Sequence, residues 1–169
     1  MNLKDRLRNQ LTTTRQTTLQ LLEAFNTPEE WVHQVHPTAN HALWFLGHMG
    51  LTDNFMIAML SADKKVERPD LSEQFGMGSQ PTANAADYPS VDEVRQFMDE
   101  RRAALLECLD AMTEEDLAQP MPEGAPDFMT DIASAFEMIT WHEGVHVGQL
   151  TVARRSLGHA PLFQPPAEE

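Results

Sequence analysis

Cysteine is almost missing from this chain. Cys108 is the only one in 169 residues, which rules out an internal disulfide and any metal cluster held by several thiolates. Positive charge is scarce as well: 12 Lys and Arg stand against 26 Asp and Glu, giving a formal net charge of −14. Affinity for nucleic acid rests on basic side chains that neutralise phosphates, and no basic run here exceeds two residues. Nucleic acid and anionic membrane surfaces are therefore poor partners. Long apolar runs are lacking too, and nothing approaches the ~18 residues of a membrane span. The N-terminus, Met-Asn-Leu-Lys-Asp-Arg-Leu-Arg, mixes charges without an apolar core behind it, so a cytoplasmic location is expected. Strand alternation, internal repeats and low-complexity segments are also absent from the pattern.

What is present suits one folded domain. Hydrophobic residues make up 41% and charged residues 22%, which is ordinary for a chain that buries a core. The expected organisation is a single domain over 1–160, followed by a loose tail over 161–169. Leu7, Leu11, Thr14, Thr18, Leu21 and Phe25 recur at spacings of three and four, so residues 3–26 read as an amphipathic first helix. Asn26-Thr27-Pro28-Glu29-Glu30 then offers a cap, an N1 proline and first-turn acids for a short turn at Trp31. A second helix spans 38–61, with Trp44, Phe45, Thr52, Phe55 and Met59 on one side. Residues 62–89 carry Pro69, Gly76, Gly78 and Pro81 and no surviving period, so a long loop is expected there; such loops are more often lids or binding loops than linkers. Ser90-Val-Asp-Glu93 is a capping box opening the third helix, whose stripe runs through Val91, Val94, Met98, Leu105, Cys108 and Met112. A short turn follows Thr113, a loop covers 119–129, and a fourth helix spans 130–157 with Gly158 as its C′ residue. The fold class is all-α: a four-helix bundle with a long loop between helices two and three.

The histidines are out of place in such a core. His142 and His146 lie four apart and project from one face, together with the apolar Ala135, Ile139 and Ala153. His48 shares a stripe with His41, Trp44, Thr52, Phe55 and Met59. Burying an unpaired polar group costs roughly 2–7 kcal/mol on transfer scales, so three inward imidazoles need partners. Hydrogen bonds inside the core are one answer. A metal taking one lone pair from each ring is the other, and bundle interiors are a known setting for such sites. Three protein nitrogens would leave a coordination position open, as catalytic zinc sites do. His142-Glu143-Gly144-Val145-His146 also fits the H-E-x-x-H pattern of zinc proteases, but the only later histidine is His159 near the C-terminus and no strands support that fold.

Two segments carry a family resemblance. His41-Ala-Leu-Trp44-Phe-Leu-Gly47-His48-Met, with Trp141-His142-Glu-Gly-Val-His146-Val-Gly148-Gln149-Leu150 about ninety residues later, resembles the DinB-like superfamily of metal-binding four-helix bundles. The resemblance implies that His48, His142 and His146 hold one divalent metal, zinc ranked ahead of nickel, with solvent completing the shell. It further implies a thiol-dependent transferase or isomerase using a low-molecular-weight thiol, although many relatives have no assigned activity.

Around the three histidines several residues carry two readings each. Glu143 is either a base for a metal-bound water or an acid at a helix–helix edge. Gln149 either orients a ligand from behind or bonds a neighbouring helix. His41 is either a group at the pocket mouth or part of the helix entry. Arg101, inside the apolar stripe of the third helix, is either an anchor for an anionic substrate or a side chain snorkelling to solvent. His33, His36 and His159 read as surface residues. Two functions follow. The first is an enzyme that transfers a small thiol to a small electrophile, with metal-assisted hydrolysis second. The other is a non-catalytic metal-binding bundle that serves binding or structure and forms a homodimer.

Overall fold

The structure is a computed structural model that describes residues 1–163. Among these residues the chain is helical, and the only bridge of strand type joins Pro120 to Asp131. Four helices are long: α1 (Leu3–Leu22), α3 (Ala42–Leu60), α5 (Val91–Ala111) and α7 (Ile132–Ser156). Three are short: α2 (Pro28–Trp31), α4 (Pro69–Phe75) and α6 (Glu114–Leu117). Side chains close most of the helix starts, although the box expected at Ser90–Glu93 is only half made because the Glu93 carboxylate bonds Arg68. Thr27, Thr113 and Asp131 each form a reciprocal capping box, and Ser90 accepts from the Glu93 amide. Gly158 follows α7 at φ 89°, a left-handed position that only glycine takes without strain.

Paired contacts fix the helix directions. Leu7 and Leu11 share one apolar cluster with Ala135 and Ile139, whereas Leu21 and Leu22 share another with Leu150 and Ala153. Positions rise together, so α1 and α7 run the same way. Phe45 and Met49 cluster with Val94, Phe97 and Met98, while Met56 and Ile57 cluster with Leu105 and Leu109, so α3 and α5 are parallel as well. Across the two pairs the sense reverses: Asn40 meets Gln149 and His48 meets His142.

This arrangement explains the length of the 62–89 segment. A chain leaving the end of α3 must travel back along it before starting a parallel neighbour, and 19 helical residues span about 28 Å. The segment is not the unpatterned loop expected from sequence. It holds 3₁₀ turns at Ala62–Lys64 and Ala85–Asp87 and the helix α4, which lays Leu71 and Phe75 fully buried on α3. Seven residues are too few to display a period, and Pro69 at the first turn was the one local signal. With α4 on one side and α5 and α7 on others, residues 41–50 are all buried. Further along α3 that cover ends, so Phe55, expected in the core, is 50% exposed. Of the tail expected over 161–169, residues 164–169 lie outside the described residues.

Candidate metal centre

Gly47 is what lets α4 approach. A methyl group built at position 47 would overlap the Phe75 ring, so only glycine permits this packing. The close approach puts the Phe75 carbonyl 2.9 Å from His48 Nδ1. A carbonyl can only accept, so Nδ1 carries the proton and the lone pair of His48 lies on Nε2. Trp44 stacks on the same imidazole at 4.3 Å and is itself fixed by donating from Nε1 to Ser79 Oγ at 2.8 Å.

On α7 the pattern repeats by different means. His146 Nδ1 stands 3.1 Å from Gln149 Oε1, an oxygen that also accepts from Asn40 Nδ2 at 3.2 Å. Donation from Nδ1 to that oxygen again leaves Nε2 with the lone pair. His48 Nε2 and His142 Nε2 are 3.1 Å apart, and one nitrogen from each of His48, His142 and His146 falls within 4.8 Å of the others. Nitrogens at 2.0–2.1 Å from a tetrahedral zinc would stand about 3.4 Å apart, so the donor set fits such an ion in type and spacing. Outer nitrogens bonded to a carbonyl and an amide oxygen are also the usual support of metal-bound histidine.

Electrostatics favour the neutral rings that ligation requires. Burial pushes His48 down to about 4, assisted by the nearby His146 and His142. Burial likewise takes His142 to about 4 and lowers His146, where the bond to Gln149 opposes the shift.

Three expected site residues lie elsewhere. Glu143 points away from the histidines into the middle of the protein and is fully buried. Its Oε1 accepts from Arg15 Nε at 2.8 Å and Thr18 Oγ1 at 2.7 Å, and its Oε2 from Arg102 Nη2 at 2.7 Å. Burial alone would raise its pKa; Arg15 and Arg102 outweigh that and hold it below the usual carboxylate value. A carboxylate so engaged is not placed to take a proton at the metal. His41 is the N-cap of α3, accepting from the Trp44 amide at 3.0 Å, and at 1% exposure it does not stand at a pocket mouth. Arg101 donates to the Lys64 carbonyl at 3.1 Å, beyond the far end of α3 from His48. Gln149 is where a group supporting a ligand would be.

Sequence reading missed the partners of Glu143. Asp53 of α3 accepts from Arg102 Nε at 2.8 Å and Nη2 at 3.0 Å, and from Arg15 Nη2 at 3.3 Å. Arg102 Nη1 also donates to the Leu11 carbonyl at 3.1 Å. The available signal was one of charge: Asp53 is the one Asp, Glu, Lys or Arg in α3.

The family comparison agrees with this geometry. The model of the DinB superfamily matches residues 10–150, from the middle of α1 to beyond the last histidine of the cluster. No curated protein matches the chain. With most of its length matched, the chain belongs to the DinB superfamily.

Proposed function

We propose that this chain is a metal-dependent enzyme of the DinB type that transfers a low-molecular-weight thiol to a small electrophile. The observation that carries the reading is the convergence of three largely buried imidazoles from α3 and α7, two of them with Nδ1 hydrogen-bonded so that the lone pair lies on Nε2. Zinc is the first candidate and nickel the second. On this reading α1, α3, α5 and α7 form a four-helix bundle, and residues 1–160 act as one domain.

A divalent ion held there supplies a Lewis-acid position able to lower the pKa of a bound thiol or water. The protein's part is to hold three neutral rings in place. Phe75 and Gln149 set two ring orientations, and Trp44 covers one face of His48. Thiol transfer ranks above hydrolysis because a thiol bound to zinc needs little help from a protein base, whereas activation of water does. Glu143, the nearest sequence candidate for that base, is occupied by two arginines and a threonine. Partners on this reading are small molecules, with neither nucleic acid nor membrane among them, in a cytoplasmic setting. The alternative is a non-catalytic metal-binding bundle that pairs with a second copy as a homodimer.

The test has two steps. Protein purified without an affinity tag should carry about one zinc or nickel per chain, and His48→Ala should lose most of it. Normal occupancy in that variant would remove His48 from the site. A small thiol added to the cobalt-substituted protein should then bring a sulfur-to-metal charge-transfer band. No thiol-dependent change in fully loaded protein would sink the transferase reading and leave hydrolysis or the non-catalytic bundle.

A further inference from the structure

Each long helix sends one charged side chain to the same buried point: Arg15 from α1, Asp53 from α3, Arg102 from α5 and Glu143 from α7. The distribution is not arbitrary. Both acids sit on the helices that carry the histidines, and both arginines sit on the helices that carry none. Each arginine also touches both acids. Arg15 reaches Glu143 at 2.8 Å and Asp53 at 3.3 Å, while Arg102 reaches Asp53 at 2.8 Å and Glu143 at 2.7 Å. The two arginines therefore tie α3 to α7, and these are the helices whose histidines must meet.

We infer that this buried quartet is a positioning device for the metal centre, with Asp53 and Glu143 setting the rotation of α3 and α7 about their own axes. The inference rests on the metal reading of the histidine cluster. Glu143 is the immediate neighbour of His142 and lies three residues before His146; Asp53 follows His48 by five. Over such short helical distances the backbone is rigid, so gripping the acid fixes the direction of the ligand. The tolerance is narrow. A side chain reaches about 5–6 Å from a helix axis, so a 20° rotation moves its tip by about 2 Å. Metal–ligand distances are held within about 0.2 Å. Apolar packing alone is less discriminating, because a rotated helix still meets apolar neighbours, whereas a rotated Glu143 loses two guanidinium partners and the Thr18 hydroxyl.

Stability alone does not account for the quartet. Buried ion pairs are often replaced by apolar residues of similar volume with no loss, and sometimes with a gain. What charge and direction add is a single register.

The experiment separates these roles by reading zinc affinity and stability on the same variants. One variant is the apolar quartet Arg15→Met, Asp53→Leu, Arg102→Met and Glu143→Met. The second, which serves if the quadruple change does not fold, is the single Glu143→Gln: it keeps the shape but accepts on one side only and turns an amide NH2 towards a guanidinium. Each is checked by circular dichroism and melting, then titrated with zinc against a chromophoric chelator well below its melting temperature. The expected result is helical protein that binds zinc at least about 10-fold more weakly than the wild type, in the range seen when residues supporting metal ligands are lost. Its cobalt-substituted form should also show an altered ligand-field spectrum. A folded variant with a smaller loss and an unchanged cobalt spectrum overturns the inference and leaves the quartet as packing. Wild-type protein that binds no zinc, nickel or cobalt would instead remove the metal reading itself, and this inference with it.

Discussion

His41 shows how a sequence can leave a residue between two tasks, a group at the pocket mouth or part of the helix entry, and how the structure places it at the entry. It belongs to the quoted His41–Met49 segment, yet its ring caps α3 through Nδ1, while Nε2 meets no hydrogen-bond partner among the described residues. Capping requires an unprotonated Nδ1. Burial pushes His41 down to about 4 from an ordinary 6.5, so the folded state takes up its proton later than the unfolded chain. The stabilisation is thus complete above about pH 6.5 and is lost as pH falls towards 4. His48 and His142 shift the same way, so the cap's share must be obtained by difference. His41→Asn supplies a cap that does not titrate. Thermal melts across pH 4–7 should fall less steeply for this variant than for the wild type, and parallel curves would refute the assignment.

Glycines 47 and 148 both stand in the recognised motifs and should behave in opposite ways. Position 47 faces Phe75, whereas a methyl at 148 would meet nothing within 4 Å. Gly47→Ala should cost about 1–3 kcal/mol by overpacking and should also weaken zinc binding, because α4 can no longer bring the Phe75 carbonyl to His48. Gly148→Ala should be neutral or stabilise by about 0.5–1 kcal/mol through helix propensity. Chemical denaturation and zinc titration of the pair would check both, and equal effects would contradict the packing argument.

The elements differ in how plainly the sequence displays them. α1, α3, α5 and α7 are long enough to repeat their apolar period several times, and their caps are strong, so they are found to within a few residues. α4 completes only two turns, with Leu71 and Phe75 as its buried anchors, and no period can be read from two points. The histidine cluster is legible because residues four apart on a helix must share a face. That α3 meets α7 there was legible only through the family resemblance. The buried arginines were hidden by ambiguity in helical spacing. Arg101 and Arg102 both sit three or four residues from Met98 and Leu105, so the stripe admits either, and the structure buries Arg102. Arg15 was passed over for Thr14 for the same reason. Opposite charges at core-compatible positions of four helices were the better clue, since a buried charge requires a partner. The prediction for α4 follows from its anchor. Phe75→Ala should cost about 3–5 kcal/mol as a large buried cavity, with most helical circular dichroism surviving because the long helices pack without it. Loss of the whole fold would show that α4 is part of the folding core.

For the molecule as a whole, the apolar clusters extend along both halves of the helices, well beyond the histidines. Metal removal should therefore lower the melting temperature but leave the helices formed, unlike a zinc finger. Circular dichroism before and after chelation decides this, and collapse of the helical signal would refute it. Net charge acts at the same level. At −14, binding to duplex or single-stranded DNA at physiological salt should be undetectable at micromolar protein, and a tight salt-sensitive shift would overturn that.

The meeting of α3 with a helix as distant in sequence as α7 has a consequence for how the protein comes into being. During synthesis His48 leaves the ribosome before α7 and can receive the Phe75 carbonyl soon after, from chain only 27 residues further on. His142 follows 94 residues later, at roughly 5–20 residues per second. Throughout that interval the nascent chain offers one oriented imidazole, too few ligands to retain an ion against competing chelators. Until Glu143 is made, Asp53 is the one acid for both Arg15 and Arg102, so the partly built quartet carries one positive charge with no acid to answer it. Arrival of α7 supplies the missing acid and the last two imidazoles together, so on the metal reading the full ligand set exists only once α7 is made.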